Sequence, residues 1–231
     1  MTAEDYKEGQ LIFIDKPLGW TSFQVVNKVR WLIKQHFKLK KIKVGHAGTL
    51  DPLASGLLIL CIGKFTKEID SYQAQEKEYT GTITLGGTTP SYDLETEIDT
   101  SFDISGITSE AIKNATSQFI GEIQQQPPIF SALKKDGKRL YEYARAGEEV
   151  EIPKRTITIS EFEITQIELP NVGFRVVCSK GTYIRSLAHD FGKALNNGAH
   201  LSALRRTKIG SYSVDAAISI EAFEEKINEE N

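Results

Sequence analysis

Cysteine is scarce: two residues in 231, Cys61 and Cys178. They stand apart with no CxxC pair, which excludes a zinc ribbon or a dithiol redox motif. Each lies in or at the end of an apolar run and reads as a buried structural thiol in a reducing compartment. Long apolar runs are missing too. The run Leu57–Ile62 is far shorter than the roughly 20 residues of a membrane helix. The opening "MTAEDYKEGQLIFID" has acids where a secretory signal has lysines, and an apolar run of only four. The expectation is a cytoplasmic protein with no membrane partner. No GxGxxG precedes a helix, and no GxxxxGK[ST] occurs; in "GKFT" the residue after the lysine is Phe65. The four histidines, His36, His46, His189 and His200, show no HxxxH or cysteine-partnered spacing, so no metal is expected. There is no GxSxG. What remains is chemistry built from carboxylate, tyrosine and arginine, without a cofactor.

Acidic residues are absent from one long stretch. Lys16 to Leu50 holds Lys16, Lys28, Arg30, Lys34, Lys38, Lys40, Lys41 and Lys43 and no Asp or Glu, a charge of +8. Glu68 to Glu110 holds ten acids against Lys77, or −9, and Arg175 to Lys208 holds seven basic residues against Asp190, or +6. The net charge of −3 therefore hides a dipolar distribution. Each basic run alone fits a solvated helix face. Two such runs flanking glycine-rich loops equally fit a surface for a polyanion.

The chain is ordinary in composition, 40% hydrophobic and 26% charged, and long enough for one large domain with a small appendage. "LIFIDKPLG" predicts a strand closed by a proline-glycine turn. Thr21 or Ser22 caps a helix whose apolar positions are Val25, Val29, Leu32, Ile33 and Phe37. "LLILCIG" predicts a buried strand and "FTKEIDSYQ" a short helix. "YTGTITLGG" alternates, with Tyr79, Gly81, Ile83 and Leu85 on one face and three threonines on the other. Asp93–Asp103 reads as an acidic loop, Ser109–Ile120 as a helix, and "QQQPPIFSALKKDGKR" as an exposed, extended loop. Strands follow at "RTITISEFEI" and "GFRVVCS", a helix at "TYIRSLAHDFGKALN", and an acidic helix at "SIEAFEEKINEE". Strands scattered between helices predict an α+β protein with a mixed, largely antiparallel sheet flanked by helices.

Against that background "GHAGTLDPLASG", Gly45–Gly56, puts one carboxylate, Asp51, on a glycine-flanked loop at the mouth of a buried strand. Asp-Pro alone is a common turn pair. The loop has company, however: "DKPLGWTS", "GHAGTLDPLASGLLILCIGKFTK", "KEYTGTITLGGTTPSYD", "QQQPPIFSALKKDGKRLYEYAR", "CSKGTYIRSLAHDFGKAL" and "HLSALRRTKIGSY" occur in that order. Together they closely resemble the TruB family of tRNA pseudouridine synthases, from about Leu11 to Tyr212. The resemblance implies the pseudouridine synthase catalytic fold and isomerisation of the uridine at position 55, in the T loop of tRNA, with no cofactor. Its partner would be the T arm of tRNA, bound by a monomer without an obligate protein partner.

The family's roles carry over residue by residue. Asp51 matches the aspartate that acts on the glycosidic bond. Tyr79 matches the tyrosine under the target base, and Arg185 the arginine that pairs with the aspartate. Tyr183 and Leu204 match residues lining the base pocket, His46 the histidine that enters the T loop, and Lys16 a lysine that buttresses the site. Lys40, Lys41, Lys43, Arg205 and Arg206 become candidate phosphate contacts, which position RNA rather than read it. "TTPSYD" differs from the usual TxTxD by Pro90 and Tyr92. Many members carry an RNA-binding PUA domain after the catalytic part. Here a catalytic domain over 1–215 is expected to be followed by an acidic tail over 216–231 in place of that domain. Two other readings stay open, a tRNA-binding or tRNA-folding factor without catalysis and a synthase for other RNA hairpins shaped like a T loop.

Overall fold

The computed structural model describes residues 1–229. In chain order its elements are α1 (Ala3–Glu8), β1 (Gln10–Lys16), α2 (Ser22–His36), β2 (Val44–His46), β3 (Ala54–Ile62), α3 (Ile69–Ala74), β4 (Lys77–Leu85), β5 (Gly87–Thr88), β6 (Thr100–Ser101), α4 (Ser109–Ala115), β7 (Gly121–Gln125), β8 (Lys134–Lys135), β9 (Lys138–Arg139), α5 (Leu140–Ala146), β10 (Arg155–Glu168), β11 (Asn171–Cys178), α6 (Ile184–Ala194), β12 (Ala199–Ile209), β13 (Tyr212–Ser213) and α7 (Ile220–Asn228). They fall into two compact units, Met1–Tyr79 with the chain from Leu204 onward, and Thr80–Ala203. Among the described residues no helix is long and apolar enough to cross a membrane.

The first unit is organised by β3. Its run "LLILCI" is apolar at every position because both faces are covered. Leu58, Leu60 and Ile62 face a cluster that includes Val25, Val29 and Ile33 of α2 and Phe223 and Ile227 of α7. Leu57, Ile59 and Cys61 face a second cluster with Ala47 and Ile209. On one edge β3 pairs antiparallel with β1, Lys16 standing opposite Gly56. On its other edge β2 is antiparallel, and β12 runs parallel with Leu204 opposite Ala54 and Arg206 opposite Gly56. Helix α2 begins with a reciprocal capping box: Thr21 Oγ1 accepts from Gln24 N and the Gln24 carboxamide accepts from Thr21 N. Its apolar stripe is the predicted one at Val25, Val29, Leu32 and Ile33, which are buried, whereas Phe37 falls past the last turn as the C-cap and is half-buried.

In the second unit β10 lies between β11 and β7, antiparallel to both. Phe162 of β10 sits at the centre of an aromatic core, with ring centroids 5.5 Å from Phe191, 6.0 Å from Phe119 and 6.1 Å from Phe174. Both units are mixed α/β with mostly antiparallel pairing, as expected. Cys61 and Cys178 are buried thiols, and burial pushes Cys61 up to about 11.

Two expectations are corrected. "QQQPPIFSALKKDGKR" is not an exposed loop: its first two residues complete β7, Lys134–Arg139 forms the β8–β9 hairpin, and Gln125 and Ser131 are buried. Gln125 is drawn in because its amide bonds both the N–H and the carbonyl of Tyr183. The helix over Ser109–Ile120 stays α-helical only to Ala115 and tightens to a 3₁₀ turn over Thr116–Phe119. The acidic C-terminal helix forms as expected, over Ile220–Asn228; Glu230, the end of the expected stretch, and Asn231 lie outside the described residues.

Candidate active site

In the first unit the loop from Gly45 to Gly56 is fixed through its backbone. Ser22, 2% exposed, donates from Oγ to the Leu50 carbonyl at 3.1 Å and accepts from Leu50 N at 2.8 Å. Gly19 N donates to the Pro52 carbonyl at 2.8 Å, and Ala54 N to the Asp51 carbonyl at 3.0 Å. Asp51, half-buried, is thus flanked by two residues whose backbones are tied to the turn "PLGWTS" and the start of α2. A side chain held this way loses little entropy when it meets a reactant.

Three basic side chains lie around the loop. Lys16 is fully buried and donates from Nζ to the carbonyls of Trp20 at 2.6 Å and Pro17 at 3.0 Å. Burial pushes its ammonium down to about 8; the Asp51 charge pulls it back up, and the Arg206 charge adds to the fall. His46 is pushed down by burial and by Arg206, against a hydrogen bond that it donates to the Gly48 backbone. Lys16 was expected to buttress the site, and its carbonyl bonds hold the turn that in turn holds Pro52.

Arg206 differs from its expected role. It was a candidate phosphate contact, yet it is 1% exposed. Its Nε donates to the Leu57 carbonyl at 2.8 Å, Nη2 to Gly48 at 3.0 Å and Nη1 to Thr49 at 3.5 Å. Its donors are turned to the loop rather than to solvent. Arg205 makes a bidentate pair with Asp15, at 2.9 and 2.7 Å, and is only half-buried. Lys40, Lys41 and Lys43 are all exposed. Tyr79, 8% exposed, follows Lys77 and Glu78, which are buried as well; Glu78 accepts from Thr207 Oγ1 at 2.8 Å. Leu204, half-buried, stands opposite Ala54 at the end of the Asp51 loop.

In the second unit Arg185 is 5% exposed and opens α6. Its Nη1 donates to the Phe130 carbonyl at 2.8 Å, and its Nε lies 3.5 Å from Asp93 Oδ2. Asp93, at the edge of the acidic loop, is 5% exposed and anchors that loop, its carbonyl accepting from Thr89 and Ser91. Tyr92, the departure from the usual pattern, takes φ +65° and stacks on His189 with centroids 3.8 Å apart. Tyr183 is half-buried with the Arg155 guanidinium 4.9 Å over its ring.

Residues 34–184 match the model for the TruB family pseudouridylate synthase N-terminal domain, and residues 185–231 match the tRNA pseudouridylate synthase B C-terminal domain. The chain belongs to the TruB family. It is 64% identical over 228 residues to tRNA pseudouridine synthase B of Flavobacterium johnsoniae, covering 98% of this chain and 100% of that one. It is 53% identical to the protein of the same name from Phocaeicola vulgatus, covering 98% and 96%. Among solved structures, a Cbf5-Nop10-Gar1 complex matches with TM-score 0.70 at 32% identity, over 97% of this chain and 56% of that one. The TruB chain therefore spans little more than half of that structural relative and nearly all of its sequence relatives.

The state of Lys16 gives a pH prediction. Between about 8 and the ordinary lysine value the unfolded chain holds a proton that the folded chain releases, so folding stability gains with pH in that window. Lys16→Met removes the group. The stability difference between wild type and variant should shift toward wild type by up to about 1.4 kcal/mol per pH unit over that window. Urea unfolding at several alkaline pH values measures it; a difference independent of pH contradicts the buried ammonium.

Proposed function

We propose that this tRNA pseudouridine synthase acts on the uridine at position 55 of the T loop, as a cytoplasmic monomer, with Asp51 performing the chemistry. The observation that carries the reading is the Asp51 loop itself: a single carboxylate on a backbone-clamped turn inside a signature that resembles the family's from end to end. The reaction moves no electrons to a carrier. The bond from C1′ to N1 breaks, the base turns over, a bond from C1′ to C5 forms, N1 gains a proton and C5 loses one. A carboxylate serves this by attacking C1′ or by stabilising its positive charge, and by accepting the C5 proton.

A uridine within a folded loop must leave its stack to be reached. In this reading Tyr79 lies under the flipped base and His46 fills the space it vacates. The roles of Tyr183, Leu204 and Arg185 rest on the motif match. Exposed Lys40, Lys41 and Lys43 meet phosphates, and Arg205 is a further candidate contact.

Incubation with an unmodified tRNA transcript, followed by carbodiimide mapping, should give a reverse-transcription stop at that single uridine. RNA that is bound but never marked would favour the binding-factor reading. The ring of Tyr79 is tested by a pair of variants. Stacking of a base on an aromatic ring is worth ~1–3 kcal/mol. Tyr79→Leu should weaken RNA binding accordingly, Tyr79→Phe should not, and both should slow turnover if the hydroxyl assists proton removal. Unchanged rates in both variants would place the ring elsewhere.

A further inference from the structure

We propose that Arg206 is a positioning residue for the reaction: its buried guanidinium locks the Asp51 loop by holding carbonyls on both sides of the aspartate. The inference rests on the function proposed above. Gly48 and Thr49 precede Asp51, and Leu57 follows the loop's last glycine. One planar group thus ties the loop's entry to its exit. The register of β12 on β3 delivers it there, since Arg206 stands opposite Gly56. At that crossing Gly56 has φ +106°, and a Cβ on it would lie 2.3 Å from the Arg206 carbonyl oxygen. The two backbones are pressed together, and Arg206 is 1% exposed.

Only an arginine suits this place. Its rigid fork presents several donors in fixed directions, whereas a lysine ammonium is a point charge on a flexible stem. Hydrogen bonds from a charged donor are also about twice as strong as neutral ones. The charge has a second effect. Arg206 disfavours protonation of both Lys16 and His46, while Asp51 favours it at Lys16. Arg206 therefore sets both the shape of the loop and part of the field at it.

Geometry and charge are separated by two substitutions. Arg206→Lys keeps the charge and loses the fork; Arg206→Gln loses both. A misplacement of about 1 Å near a reacting group costs on the order of 100-fold in rate. The clamp predicts that Arg206→Lys lowers kcat by about that factor while KM changes by less than about threefold, because binding surfaces are untouched. Arg206→Gln should lower kcat at least as far and move the rate profile to higher pH, since Lys16 and His46 then hold their protons more tightly. Ile209→Ala, a core truncation in the same strand, is the folding control and should keep its kcat at temperatures where it is folded. In the wild-type protein, arginine-selective ¹⁵N NMR should show separate, slowly exchanging Nη signals for Arg206.

Arg206→Lys with wild-type kcat overturns the clamp, as does a loss of kcat that merely tracks melting in both Arg206→Lys and Ile209→Ala. If Arg206→Lys fails to fold, the NMR signal decides, and a freely rotating guanidinium overturns the proposal. Absence of turnover in the wild type refutes the proposed function instead and leaves the clamp to be judged by NMR.

Discussion

Asp51→Asn is expected to lose turnover by about 1000-fold or more while RNA binding stays within a few-fold. The amide has the shape of the carboxylate but neither attacks C1′ nor accepts a proton at neutral pH. The course of the loop should survive the change. The loop is held by its own main chain, bonded by Gly19 N at Pro52, by the Ser22 hydroxyl at Leu50 and by the Arg206 guanidinium at Gly48, Thr49 and Leu57, and none of these bonds uses the Asp51 side chain. Melting temperature and affinity for a T-arm stem-loop are the controls. Wild-type turnover in the variant would remove Asp51 from the chemistry.

Gly56→Ala should strongly destabilise the first unit. The residue lies between Lys16 of β1 and Arg206 of β12, with φ +106°. Its Cβ would meet the Arg206 carbonyl oxygen at 2.3 Å and its nitrogen at 2.8 Å, both backbone atoms of a paired strand. A side chain there adds strain of about 1–3 kcal/mol and overpacking of about 1–3 kcal/mol. Together these lower the melting temperature by roughly 10 °C for a chain of this size. Circular dichroism melts compare the two proteins. A melt within about 2 °C of wild type would mean that β3 and β12 separate cheaply, and the register that places Arg206 would lose its significance.

The parts of the fold that sequence made plain are those where side-chain chemistry and periodicity agree. The run "LLILCI" announced a strand covered on both faces, and Val25, Val29, Leu32 and Ile33 announced the inner stripe of α2. Strand β12 escaped because its central residues are Arg205, Arg206 and Lys208, so no apolar alternation marks it. Arg206 is buried by hydrogen bonding rather than by hydrophobicity, and an arginine that caps carbonyls is spelled like one that meets phosphate. The same blindness hid Gln125 and Ser22, polar residues drawn inside by backbone partners distant in sequence, and Asp93, whose buried carboxylate lies 3.5 Å from Arg185 Nε. The segment from Gln124 to Arg139 misled in the opposite direction: proline and glycine suggested exposure, whereas its carbonyls are bound by Arg185 and Ser186. In the site, the loop carrying Asp51 was legible from its motif. The devices that hold it were not, because each depends on which strand lies beside which.

The central claim is that this chain converts a carbon–nitrogen bond to C1′ into a carbon–carbon bond at C5. Every such event expels the hydrogen at C5. A T-arm RNA tritiated at C5 of its uridines, incubated with the wild-type protein and with Asp51→Asn, measures that step directly. The account predicts release of one tritium to solvent per RNA with the wild type and none with the variant. RNA that binds the wild-type protein and keeps all its tritium would contradict it.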